Sequence, residues 1–361
     1  MSASPVPILA ITGVLIGALT GFFVRRARLC SFGAIEAALA GGDWRGMKIF
    51  ALALGIALAG TQLLIAGGWL DPTKTTYVAS KIPWLGTVFG SVMFGLGMAL
   101  VGTCAFGSLI RLGGGDLRSL VVLMAFGAVA YAVLRGALAG LRIRFFEHWA
   151  LSAPGNGASA LSAWLSGIWG VRAGLVLAFA LAFALISLTI LDRRLWKAPR
   201  LVTAAIVLGL GVPGGWLVTG VFVDEFTTGI RVQSLTFVAP VARTLFGAMI
   251  GGPEWFDFGV GTVIGVAIGA FAAARLAGDF RWEAFDDARE MGRHLVGAVF
   301  MGAGGILAGG CTIGQGLTAG SLTAMTWPIS VIGIMIGARI GIVLLVEGSL
   351  GEAIRSRVFR L

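Results

Sequence analysis

GLGMALVGTCAFGSLIRLGG, residues 95–114, has a second copy near the other end of the chain: GAGGILAGGCTIGQGLTAG, residues 302–320. With Cys104 laid on Cys311, Gly95 and Gly302 stand nine residues before the cysteine and Gly97 and Gly304 seven before. Gly102 and Gly309 stand two before it, and Gly107 and Gly314 three after. The shared pattern is G-x-G-x-x-x-x-G-x-C-x-x-G. In a chain with 57 glycines one coincident glycine means nothing, but four in register around one of only three cysteines mark an internal repeat. A repeat of this kind decides the architecture: two related halves, each with the same glycine-broken element.

The composition names the solvent. Of 361 residues 57% are hydrophobic and 12% charged, and the mean hydropathy is +0.94, which excludes a soluble globular domain. Long apolar runs between short charged clusters predict an all-α polytopic membrane protein. The expected spans are 6–24, 49–70, 86–110, 119–134, 168–191, 201–222, 258–276, 295–310 and 325–346, nine crossings. The cluster Arg25–Arg28 after the first run and the basic tail RSRVFRL place the N-terminus outside and the C-terminus in the cytoplasm of a bacterial inner membrane. The N-terminal run lacks a basic flank before it and an A-x-A-like cleavage site, so it reads as a span and not a signal peptide. The net charge of +10 sits in clusters at the ends of apolar runs; that is the positive-inside pattern, and no nucleic-acid partner is implied.

The halves are expected at 1–152 and 168–361, with 153–167 as linker, its APGNGASA breaking helices. The run Cys30–Ala40 is too short to span the roughly 20 residues a bilayer requires and predicts a re-entrant segment. Its counterpart is expected at 235–250: Arg26-x-x-x-Cys30-Ser31-Phe32 aligns with Arg231-x-x-x-Leu235-Thr236-Phe237. The separation from Cys30 to Cys104 is 74 residues and from Leu235 to Cys311 it is 76.

A helix broken at membrane depth frees backbone N–H and C=O groups, which must face protein or a wet cavity. The short helix that follows points its positive end into that cavity, which suits a small anion. Cysteine is a weak hydrogen-bond donor but soft and polarisable, so it suits a sulfur- or selenium-containing cargo. Taken alone, each cysteine is equally well a small packing residue; the matched pair within matched motifs argues otherwise. The candidate substrate-binding set is therefore Cys30, Cys104 and Cys311 with Ser31, Gly102, Thr103, Gly309, Gly310, Thr312 and Gln315. Ser31, Thr312 and Gln315 are donors for oxyanion oxygens or, on the plainer reading, helix–helix hydrogen bonds. Arg28 and Arg111 are either entrance attractors or positive-inside flanks. With no C-x-x-C pair, no disulfide framework or metal site is indicated, and no cofactor or nucleotide fingerprint is present. His148 and His294 read as interfacial rather than catalytic.

GTCAFGSLIRLGGG, GGCTIGQGLT and RLCSFGA resemble the YeeE/YedE family of sulfur-transport membrane proteins over nearly the whole chain. The resemblance implies an inverted pseudo-twofold bundle that takes up thiosulfate. It further implies three cysteines, at Cys30, Cys104 and Cys311, that hand the ion along by transient contacts with its sulfur. It also implies a soluble cytoplasmic sulfur-carrier partner, and leaves selenium species open as cargo. Phe106 departs from the small residue common after the first motif's cysteine. The rivals are a membrane sulfurtransferase or thiol-redox enzyme, and a subunit without cargo. An enzyme needs an activated thiolate, and no His or Lys lies within several positions of any cysteine, so the chain is expected not to be an enzyme.

Overall fold

The computed structural model describes residues 6–78, 81–152, 159–169, 171–192, 195, 197–223, 231–251 and 255–347. The described residues are helical almost throughout. The first half runs α1 Val6–Ala27, α2 Ser31–Gly41, α3 Arg45–Ala66, α4 Trp84–Val101, α5 Ala105–Gly113 and α6 Leu117–Leu134. The second runs α7 Leu161–Trp169, α8 Val171–Ile190, α9 Pro199–Phe222, α10 Ala239–Ile250, α11 Phe258–Ala277, α12 Ala288–Leu307 and α13 Thr326–Glu347. Between α12 and α13 lies a helical stretch, 312–321, wound as a π turn over Gly314–Ala319. The only paired strands among the described residues are Lys81–Ile82 and Leu151–Ser152.

Eight helical stretches among the described residues are long and apolar enough to cross a membrane, which makes this an all-α polytopic membrane protein. The ninth expected span, 295–310, is not among them. It falls in α12, which opens with Arg289, Glu290, Arg293 and His294, and whose apolar remainder is shorter than the roughly 20 residues a bilayer requires. The short expected segment at 30–40 is α2, and the one at 235–250 is the apolar α10, which begins four residues later than the alignment placed it. Most of the expected linker's helix-breaking stretch, 153–158, and the basic tail, 348–361, lie outside the described residues.

Glycine spacing sets the packing. The glycines of α4 and α12 have corresponding jobs. A Cβ at Gly97 would stand 2.5 Å from the Gly297 carbonyl oxygen of α12, and one at Gly304 would stand 2.6 Å from the Gly90 carbonyl oxygen of α4. Each motif's first glycine turns the other way: Gly95 rides on Ile334 and Ala338 of α13, and Gly302 on Phe126 and Ala130 of α6. Thus α4 and α12 pack on each other, and each also seats the last span of the opposite half. A second close contact joins α1 to α11, where Gly13, Gly17 and Gly21 meet Phe258, Thr262 and Val266, and Gly261, Gly265 and Gly269 meet Ala10, Val14 and Ala18. Without a hydrophobic drive between helices in lipid, such small-residue contacts are what hold helices together. Pro213 sits inside α9 and packs against Gly60 of α3, where a Cβ would come within 2.8 Å of the proline ring.

The segment 71–83 was expected as an outside loop, and part of it, 75–78, packs against the protein. Leu70, Thr75, Tyr77 and Val78 are buried, and the Tyr77 ring meets Trp216 edge-on at 6.4 Å.

Two substitutions on one helix test this packing. Gly304→Ala should overpack α4 against α12 and lower the melting temperature in detergent, by the equivalent of about 1–3 kcal/mol. Gly292→Ala, on the same helix with nothing within 4 Å of its Cβ position, should raise it by up to about 1 kcal/mol of helix propensity. Equal responses of the two variants would contradict the assigned contacts.

Candidate functional site

Helix α4 ends at Gly102 and α12 at Ala308–Gly309, and the two breaks are built alike. Gly102 (φ +77°) and Gly309 (φ +75°) both take the left-handed conformation that a side chain resists. Two residues on, Cys104 caps the N-terminus of α5 and accepts the Gly107 amide at 3.4 Å; Cys311 stands at the head of 312–321 and accepts the Gly314 amide at 3.4 Å. Cys30 caps α2 in the same extended conformation, with no hydrogen bond to its sulfur from that helix. All three cysteines therefore head short helices and are followed at the third position by glycine: Gly33, Gly107 and Gly314. The third of these C-x-x-G units shows itself only once all three helix starts are compared.

The three helix starts converge through one hydroxyl. Ser31 Oγ donates to Cys104 Sγ at 3.1 Å and lies 3.2 Å from Thr312 Oγ1. Cys30 Sγ lies 3.9 Å from Thr103 Oγ1. The Cys311 sulfur is ringed by the backbone amides of Phe237, Ile313 and Gly314. Cys104 and Cys311 are 1% and 0% exposed, whereas Cys30 is half-buried. Five of the sequence candidates, Cys30, Ser31, Thr103, Cys104 and Thr312, thus make one contact network, with Cys311 next in line. The N-terminal turns of three helices around it supply positive potential and, with Cys104 and Cys311, already polarised amides.

The remaining candidates hold the breaks. Arg111 Nη2 donates to the Gly102 carbonyl at 2.9 Å, and Gln315 Nε2 donates to the Ala308 carbonyl at 2.6 Å. Each is a side chain from the second helix of the pair tied to the last carbonyls of the first. Gly310 returns its amide to the Gly305 carbonyl at 2.9 Å. Gln315 is 2% exposed and its Oε1 has no partner. Arg28 lies apart from the cluster: it takes a left-handed turn (φ +53°) between α1 and α2, its side chain is 85% exposed, and its guanidinium is 3.9 Å from Asp279.

Two cavities flank the cluster and share no lining residue. One, of about 170 Å³, reaches Gly309 and Gln315 and is bordered by Tyr77, Lys81, Arg142 and Glu147. The other, of about 210 Å³, reaches Thr103 and Arg111 and is bordered by Arg118, Glu290, Arg293 and His294. Tyr77 and Thr236 were not expected at the site. They bond to each other beside Gly314, where a Cβ would come within 2.5 Å of Thr236 Oγ1 and 3.0 Å of the Tyr77 hydroxyl. Thr236 was aligned with Ser31, so its place beside the second break was within reach of that alignment; Tyr77 sits in a loop without any pattern. Phe106 leans on Phe237, ring centroids 4.7 Å apart. Among the described residues no cluster of metal-ligating side chains occurs.

A family model described as sulphur transport matches residues 26–340. The chain is similar to the thiosulfate transporter TsuA of Escherichia coli (strain K12), 30% identical over 334 residues that cover 88% of each chain. It is also similar to the thiosulfate transporter TsuA of Spirochaeta thermophila, 27% identical over 340 residues that cover 89% of this chain and 94% of that one.

The burial pattern predicts how the thiols label. In the folded protein in detergent, maleimide should modify Cys30 first and leave Cys104 and Cys311 protected until denaturant is added, as read by peptide mass spectrometry. Labelling of Cys104 or Cys311 as fast as Cys30 would be incompatible with the buried network described above.

Proposed function

The chain belongs to the sulphur-transport (YeeE/YedE) family, and on that footing we propose that it takes up thiosulfate, or a related sulfur-containing anion, along a path lined by Cys30, Cys104 and Cys311. The observation that carries this reading is the meeting of the two motifs at Ser31, whose hydroxyl touches both Cys104 and Thr312 between two separate cavities. An anion at this point loses most of its hydration. The helix N-termini offset that loss electrostatically, and the hydroxyls of Ser31, Thr103 and Thr312 donate to its oxygens. The thiols meet its terminal sulfur as soft, weak donors, so contact is made and released without a deep well.

The glycine contacts support an inverted twofold relation, with α4 facing α12 across the axis and Gly95 and Gly302 each seating the other half's last span. The halves are then 1–152 and 168–361, joined by 153–167. By the placement of basic clusters the protein sits in a bacterial inner membrane, N-terminus outside. The Gln315 cavity then faces outward, the Arg111 cavity faces the cytoplasm, and Cys30, after its basic cluster, lies on the cytoplasmic side of the pair. Release to a soluble sulfur carrier would follow there. The alternative cargo is a selenium-containing anion, which the same soft sulfurs would accept. The rival enzyme reading, a sulfurtransferase or thiol-redox protein, needs a base at a thiol; the groups on the three sulfurs are hydroxyls and backbone amides, and both named relatives are transporters.

Serine preserves size and hydrogen bonding but removes the soft sulfur. Cys104→Ser and Cys311→Ser should each cut uptake of labelled thiosulfate into proteoliposomes by about tenfold or more, a barrier change of roughly 1.4 kcal/mol, at unchanged expression and with a melting temperature no lower than that of the parent protein. Cys30→Ser should lower it less. Normal uptake by a well-expressed triple serine variant would return the cysteines to packing residues, and release of sulfite with a persulfide left on a cysteine would establish the enzyme.

A further inference from the structure

The cavity on the Arg111 side holds a group that neither the transport path nor the packing uses. His294 is 8% exposed, and its Nδ1 is buried with no hydrogen-bond partner. The ring lies against Phe285, centroids 5.3 Å apart, and borders the cavity of about 210 Å³. A buried ring nitrogen without a partner is costly unless something enters the cavity to meet it. The charges nearby say what kind of group that is. Arg118 is already matched by Asp116 at 3.0 Å, Glu283 at 2.6 Å and Glu290 at 3.5 Å, so the carboxylates at this cavity are engaged and offer little to a cation. Arg111 spends one N–H on the Gly102 carbonyl, which leaves other guanidinium donors at the cavity wall. Arg293 is exposed at the rim and makes no ion pair among the described residues. Thr103, 1% exposed, closes the inner end, and its hydroxyl is the one that faces Cys30.

We propose that this cavity is a second binding station for a tetrahedral oxyanion, held by His294, Arg293 and Arg111 immediately beyond the cysteine cluster. The donors are arranged for oxygens, with no thiol among the cavity's lining residues, so the station accepts sulfate as well as thiosulfate and selectivity resides at the cysteines. A ring N–H of His294 at the cavity wall is donated to the anion. The station deepens the transport reading: it rests on that reading for the identity of the cargo, and supplies the place where the ion waits after passing the sulfurs.

The chain contains two histidines, His148 and His294, and His148 is exposed next to Glu147, which borders the other cavity. Selective 15N labelling of histidine in the full-length protein therefore gives two ring systems, assigned with a His148→Gln variant. Titration with sodium thiosulfate and with sodium sulfate should shift the His294 ring nitrogens saturably. Sodium chloride at matched ionic strength should not, and His148 should stay in place. In Arg293→Gln the half-saturation concentration should rise about fivefold, the weight of one partly exposed charge. No saturable shift, or an equal shift with chloride, would mean that only water and screening ions occupy the cavity and would overturn the station. Uptake measured on the same preparation separates the two readings: shift without uptake keeps the station and removes the transporter, and uptake without shift does the reverse.

Discussion

Backbone groups left open inside the membrane are the constraint on which this structure depends. Breaking a helix at bilayer depth strands carbonyls at the end of one piece and amides at the start of the next, and each unsatisfied group there costs several kcal/mol. Both breaks meet the same need in the same way. Arg111 and Gln315 reach back to the carbonyls of Gly102 and Ala308, and the sulfurs of Cys104 and Cys311 receive the amides of Gly107 and Gly314. The breaks must then be kept from lipid, which obliges α6 and α13 to close around α4 and α12. The glycines permit that closure, since any larger residue at Gly95, Gly97, Gly302 or Gly304 would collide with backbone.

The choice of cap is informative because it is a poor one. Serine, threonine, aspartate and asparagine are the strong N-caps, and replacing one by a non-capping residue typically costs about 1 kcal/mol. Sulfur is a weak acceptor, and the two amide contacts to it are 3.4 Å long. Stability alone would favour serine at all three helix starts, and serine is the smaller change from cysteine. Aspartate would cap better still and would repel an anion. Cysteine at three convergent N-caps is a weaker cap than serine would be, which is what the soft surface proposed above would require.

The glycine register and the short segments were legible in the sequence because both follow from local spacing: Gly95 to Gly107 against Gly302 to Gly314, and a run at Cys30 too short to span. The polytopic all-helical class followed from composition. What stayed hidden was tertiary. Tyr77 lies in a segment with no periodicity, yet it reaches Thr236 because 75–78 packs inward. The glycine rows of α1 and α11 were in plain view at four-residue spacing, but nothing in either helix alone says which partner it meets. Arg28 looked like an attractor by charge and proximity to Cys30; its left-handed turn points it outward. Gln315 is readable as a donor, and the structure adds that one of its two Nε2 hydrogens goes to the Ala308 carbonyl. In each case the chemistry of the side chain was readable in the sequence and its partner was not.

The two motif-bearing stretches of the chain share their glycine register but not their chemistry. Where the first half has Cys30, the second has Leu235, fully buried, with its carbonyl bound by Thr318 at 2.6 Å. Where a cation, Arg111, holds the first break, a neutral amide, Gln315, holds the second. A symmetric pair of sites would bind an anion equally from either face. The cavity on one side meets the cluster at a carboxamide, with Lys81, Arg142 and Glu147 on its border; the other meets it at Thr103 and the Arg111 guanidinium, with Arg118, Arg293, Asp116 and Glu290 around it. On the transport reading proposed above, an anion leaving the thiols would therefore meet a guanidinium on one side and a neutral carboxamide on the other.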